Sequence, residues 1–174
     1  RERAVFLIDV SASMRGGGIK RALSVAYPLR FIAAEVLVFD SERMPPQPIE
    51  LKNLDDYFKV LWMPSGGTPL EEAVEYAVKE ARKLDAMLWV FTDEMGNIFK
   101  RDNIVRIPSD VPTIVFNCSP YPSEHVVKDE GHVVVLPTAS IDTVKAGVAT
   151  LQLYKKQTEG VVPESVVKQI LTET

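Results

Sequence analysis

Five short runs of the chain are apolar almost without interruption: Ala4–Ile8, Val36–Phe39, Met87–Phe91, Thr113–Phe116 and Val133–Leu136. They are rich in β-branched and aromatic residues and do not alternate with polar ones. Strands covered on both faces read this way, which is the habit of parallel sheets. Between them the periodicity changes. Leu70, Ala73, Val74, Ala77, Val78, Ala81 and Leu84 recur at helical spacing and form one apolar stripe. Ile141, Val144, Val148 and Leu151 form a second stripe, and Val166, Val167, Ile170 and Leu171 a shorter one. Ile19–Tyr27 predicts a further helix that Pro28 stops. Strands alternating with helices predict βαβ units, hence an α/β fold with a doubly wound, mostly parallel central sheet and helices on both faces.

Two stretches depart from that rhythm. Pro45-Pro46-Gln47-Pro48 followed by Ile49-Glu50-Leu51 predicts one antiparallel edge strand entered through a rigid turn, because proline is tolerated at sheet edges. Gly96–Pro112 is weakly periodic and predicts a surface crossover with about one helical turn. No repeat or internal boundary appears. Residues 1–174 therefore read as a single domain, with its core at about 4–153 and a C-terminal helix or tail over 154–174.

The composition excludes several classes. With 174 residues the chain can bury a full core without staples. Its single cysteine, Cys118, leaves no internal disulfide and no cysteine-rich zinc site. Twenty Lys and Arg against 24 Asp and Glu give a net charge of −4, so direct nucleic-acid contact is not expected. No run approaches the 18 or so apolar residues of a membrane helix, so no membrane partner is expected. The chain begins at Arg1 and is read as an excised piece of a longer polypeptide.

In open α/β sheets, ligands collect at the carboxyl ends of the strands. The polar residues there are Asp9-Val10-Ser11-Ala12-Ser13 after the first run, Asp40-Ser41-Glu42 after the second and Thr92-Asp93-Glu94 after the third. Ser65-Gly66-Gly67-Thr68-Pro69 precedes the long helix. In an extended stretch Asp9, Ser11 and Ser13 face one side and could converge, with Asp93 arriving from a neighbouring strand. Short oxygen ligands with few carboxylates suit a small hard cation such as Mg2+.

Asp9-Val10-Ser11-Ala12-Ser13 resembles the D-x-S-x-S motif of von Willebrand factor A (VWA) domains, the fold shared with integrin I domains. Gly66-Gly67-Thr68-Pro69-Leu70 is similar to that family's second metal-site loop, and Phe91-Thr92-Asp93 to its third, in the family's order. The resemblance implies a Rossmann-like VWA fold carrying a metal-ion-dependent adhesion site (MIDAS) for Mg2+ or Mn2+. Ser11, Ser13 and Thr68 would then ligate the metal, with Asp9 and Asp93 acting mainly through waters. It further implies a non-catalytic module that captures an exposed Asp or Glu of a partner protein. Asp9–Met14 and Phe91–Glu94 also resemble Ro-type ribonucleoprotein autoantigens and intracellular VWA proteins that accompany AAA+ ATPases. Those resemblances imply a cytoplasmic assembly role in a larger complex, or the scaffold of a ribonucleoprotein. One departure is Glu94, where the family usually has glycine; a third carboxylate there bears on metal and ligand binding.

Other readings of the same residues compete. Thr68-Pro69 with Glu71 also reads as a capping box. Gly16-Gly17-Gly18 is a flexible turn and no phosphate cradle, since a G-x-G-x-x-G would need glycine at Arg21. A haloacid-dehalogenase-type phosphatase would use Asp9 as nucleophile, but needs a second Asp where Ser11 stands. His125 and His132 read as surface loop residues without metal-ligand spacing. Asn117-Cys118-Ser119 is a formal glycosylation sequon followed by Pro120 and is discounted. Trp62, Met63, Met87 and Trp89 read as core.

Overall fold

A computed structural model describes residues 3–93, 107–120 and 131–138. Its strands are β1 (Ala4–Asp9), β2 (Ala33–Phe39), β3 (Gln47–Pro48), β4 (Met87–Thr92), β5 (Thr113–Asn117) and β6 (Val133–Pro137). They form one sheet in the order β3-β2-β1-β4-β5-β6. All neighbours pair in parallel except β3, which lies antiparallel on the edge against β2. The expected edge strand is present but earlier than the sequence suggests. Gln47 and Pro48 pair with Val38 and Leu37, and Ile49 donates its N–H to the Val36 carbonyl at 2.9 Å. Leu51 has left the sheet by then and is buried in the core.

The sheet divides the core in two. Phe6, Ile8, Val36, Val38, Trp89, Phe91, Ile114 and Phe116 face α1 (Gly17–Ala26) and α2 (Leu54–Leu61). Val5, Leu7, Leu37, Phe39, Leu88, Val90 and Val115 face α3 (Leu70–Leu84). The five strands formed by the apolar runs thus bury both faces, which is why those runs show no alternation. On the α1 side the rings stack, Phe6 on Trp89 at 5.0 Å and Phe91 on Phe116 at 4.6 Å between centroids. The α3 stripe is the one the periodicity marks, and it buries Leu70, Ala73, Val74, Ala77, Val78 and Ala81. Glu71 and Glu72 in its first turn and Arg82 and Lys83 in its last complement the helix dipole. No helix among the described residues is long and apolar enough to cross a membrane.

Helix α2 has no counterpart in the expected pattern. Asn53 caps it by accepting from the Asp56 N–H at 3.0 Å, while the Asp56 carboxylate accepts from Lys52 N–H at 2.7 Å. Its stripe is short and half exposed, so tertiary packing and the cap define it more than periodicity. It also corrects the placement of Trp62, which is 81% exposed rather than core: Trp62 sits at the C-cap, beyond the turn that buries Val60. Met87 and Trp89 are buried as expected, and Met63 packs partly on the core. His132 is also corrected, being buried against Ile107, whose carbonyl lies 2.7 Å from its Nε2. It directly precedes β6, and its own carbonyl accepts the Thr113 N–H, so pairing with β5 draws it inward. The expected helices at 141–151 and 166–171, His125, Glu94 and most of the 96–112 crossover lie outside the described residues.

Candidate functional site

The sheet reverses its winding between β1 and β4. From β1 the chain crosses to β2 on one side, and from β4 to β5 on the other. Such a switch point leaves a crevice at the carboxyl ends of the two central strands. Asp9 is the last residue of β1 and Thr92 the last of β4, with Asp93 next.

These residues form one connected polar chain. The Thr92 hydroxyl donates to Asp9 Oδ2 at 2.7 Å, and the Ser11 N–H donates to Asp9 Oδ1 at 2.8 Å. Ser11 Oγ lies 3.3 Å from Ser13 Oγ, and the Ser13 hydroxyl donates to Asp93 Oδ1 at 3.1 Å. Four of the five expected site residues, Asp9, Ser11, Ser13 and Asp93, therefore meet. They do so differently from the expected extended alternation. Asp9 ends β1 and Ser11 is extended, but Ala12–Met14 form a 3-10 turn that curls Ser13 back over Ser11.

Thr68 reaches the neighbourhood through its loop. Ala12 N–H donates to the Gly66 carbonyl at 2.9 Å and Ser65 N–H to the Val10 carbonyl at 3.0 Å, stitching the 64–68 loop to the β1 loop. No described hydrogen bond joins the Thr68 side chain to the other four residues. The competing cap reading fails: α3 begins at Leu70, its N-cap position is Pro69, and no side chain caps it.

Several residues that support this arrangement have no role in the sequence reading. Thr92 is one; a polar residue ending an apolar strand beside the Asp9 strand was the available signal. Ser41 is another. Its hydroxyl accepts from Gly67 N–H at 2.8 Å and its N–H donates to the Gly67 carbonyl at 3.0 Å. Asp40, buried beneath, accepts from the N–H groups of Glu42 and Arg43, both at 2.8 Å, and pairs with the Arg43 guanidinium. It shapes this loop. Gly66 has φ +76°, and a Cβ there would meet Ser41 Oγ at 2.8 Å, so the position requires glycine.

Asp9 is fully buried. Burial pushes its carboxyl from 3.8 up to about 6, against the hydrogen bonds from Ser11 and Thr92 that pull it down, and the nearby Asp93 charge adds to the rise. Burial, then the Asp9 and Asp93 charges, also push the Cys118 thiol well up, so it stays neutral. Asn117 is buried, and its side chain accepts from Ser119 N–H at 2.9 Å, which withdraws it from glycosylation.

The donors fit a small hard cation in kind. All are oxygens, two belong to carboxylates, and no described ion pair engages Asp9 or Asp93. Among the described residues no group of three or more His, Cys, Asp or Glu gathers as a metal cluster. A cation here would therefore draw on hydroxyls as well as carboxylates. The chain matches no known family model and no curated protein.

Proposed function

We propose that the chain is a VWA-type binding domain whose β1–β4 crevice holds Mg2+ or Mn2+ and, through it, an acidic side chain of a partner protein. One observation carries the reading: the continuous run Thr92–Asp9–Ser11–Ser13–Asp93, closed by hydrogen bonds across 83 and 80 residues of chain, at the sheet's switch point. Two acidic groups near each other in a partly dry site favour a cation, which would relieve both the burial of Asp9 and its repulsion by Asp93.

Ser11, Ser13 and Thr68 would hold the ion through their hydroxyls, and Asp9 and Asp93 would orient them. Asp9 suits the orienting role because both its oxygens already accept hydrogen bonds. The same engagement makes it a poor nucleophile, which counts against a phosphatase. When bound, the ion supplies a positive centre that attracts a carboxylate. The protein's own part is to fix the donors through the hydrogen bonds among them.

Calorimetry with Mg2+ and Mn2+ tests this. Wild type should bind one ion, and Asp9→Ala should bind about 10–100-fold more weakly or not at all. Equal binding by both proteins, or none by wild type, would remove the proposal.

A further inference from the structure

Beside the candidate site lies a groove between the start of α1 and the end of α2. It is lined by Arg15, Gly16, Lys20, Leu61, Trp62 and Pro64 and has a volume of about 220 Å³. That is several times the ~30 Å³ share of one water in the liquid. It is below the roughly 300–1,000 Å³ of pockets that enclose whole small molecules. The space suits one side chain of a larger partner.

The groove is tied to the site residues through the chain and is preformed. Arg15 follows the Ala12–Met14 turn that carries Ser13, and its guanidinium donates to the Pro64 carbonyl at 3.0 and 3.3 Å. Pro64 in turn leads into Ser65 and the Thr68 loop. One wall is Trp62, 81% exposed, with Phe58 and Leu54 also exposed one and two turns back along α2. Tryptophan and arginine, both in this lining, are among the residue types most enriched where binding energy concentrates.

Charge selects the occupant. The chain is net negative, yet from Val10 to Ala34 it has no carboxylate and carries Arg15, Lys20, Arg21 and Arg30. Arg15 and Lys20 thus make a local basic rim on an acidic protein. We propose that this groove is a specificity subsite for an acidic peptide segment of the partner, taking an apolar side chain against Trp62 and a second carboxylate on Arg15 and Lys20. It rests on the metal reading, in which another carboxylate of the same segment occupies the crevice.

The test is fluorescence polarisation with a positional-scanning library of synthetic peptides sharing one fixed central Asp, in Mg2+ and in EDTA, with Mg2+ calorimetry on each protein. Wild type should select an apolar residue and a second Asp or Glu at fixed positions, only in Mg2+. Trp62→Ala should erase the apolar preference and weaken the best peptide about tenfold. Lys20→Glu, which spares the Arg15–Pro64 contact, should erase the acidic preference. Both variants should bind Mg2+ like wild type. Flanking preferences that are absent, or unchanged in both variants, overturn the subsite. If no peptide binds while Mg2+ does, the subsite fails alone; if Mg2+ does not bind, or selection persists in EDTA, the metal reading fails and this proposal with it.

Discussion

Thr92 and Asp9 lie 83 residues apart in the chain, yet the hydroxyl of one donates to the buried carboxylate of the other at 2.7 Å. The bond spans the two central strands at the point where the sheet changes direction, and it fixes the oxygen of Asp9 that Ser11 does not hold. Removing it with little change of shape, as in Thr92→Val, should cost about 1–3 kcal/mol of stability. It should also weaken Mg2+ binding by about 10–100-fold. Urea unfolding and calorimetry check the two effects separately; unchanged affinity would mean that Thr92 serves stability alone.

The rise of the Asp9 carboxyl to about 6 gives a pH dependence of definite sign in metal-free protein. The folded state holds the proton more tightly than the unfolded chain. Its contribution is complete below about pH 4 and is lost as pH climbs through about 6. The rise from 3.8 to about 6 corresponds to about 3 kcal/mol. Asp9→Asn should flatten that part of the profile and leave the metal-free protein more stable than wild type at pH 7, while losing Mg2+ binding. Unfolding curves of both proteins from pH 4 to 8 in EDTA check this: the advantage of Asp9→Asn should grow as pH rises through about 6, and a difference independent of pH would contradict it.

Gly66 and Gly16 share a positive φ, +76° and +77°, but not the same surroundings. An added Cβ has open space at Gly16 and meets Ser41 Oγ at 2.8 Å at Gly66. Gly16 has ψ −106°, outside the left-handed helical region, so Gly16→Ala should carry backbone strain of about 1–3 kcal/mol with no steric clash. Gly66→Ala should strain the backbone and also press on Ser41 Oγ, and should weaken Mg2+ binding by disturbing the loop that presents Thr68. Thermal melts check the strain, and Mg2+ calorimetry on both variants checks that only Gly66→Ala weakens the ion's binding.

Thr68 separates cap from ligand. With no side-chain cap on α3, Thr68→Ala should change stability by less than about 0.5 kcal/mol, where losing a true cap costs about 1 kcal/mol. Mg2+ affinity should nevertheless fall about tenfold or more. A loss of stability with unchanged affinity would reverse the assignment.

The fold was legible because the five parallel strands are buried on both faces and the α3 stripe is long, so the apolar pattern carries the sheet and its order of elements. Where burial is partial, the pattern falls silent. Helix α2 is specified by the Asn53 cap and by contacts across α1, and its end leaves Trp62 in solvent, which hydrophobicity alone reads as core. His132 is the reverse case: a polar residue drawn inward because its backbone pairs with Thr113. At the site, the residue types and their strand-end positions were readable, since a short oxygen-rich stretch after a buried strand is conspicuous. The geometry was not. Ser13 meets Ser11 through a 3-10 turn rather than extended alternation. The contributions of Thr92 and Ser41 depend on which strands become neighbours, a property of the assembled sheet.

Residue-resolved NMR of 15N-labelled protein titrated with Mn2+ tests the central claim most directly, because the paramagnetic ion broadens only the amides close to it. The expected result is that Ser11, Ser13, Thr68 and Asp93 vanish at the lowest Mn2+ additions and return when excess Mg2+ is added. Broadening that starts at another acidic cluster, or spreads evenly over the surface, would contradict a cation held in the β1–β4 crevice.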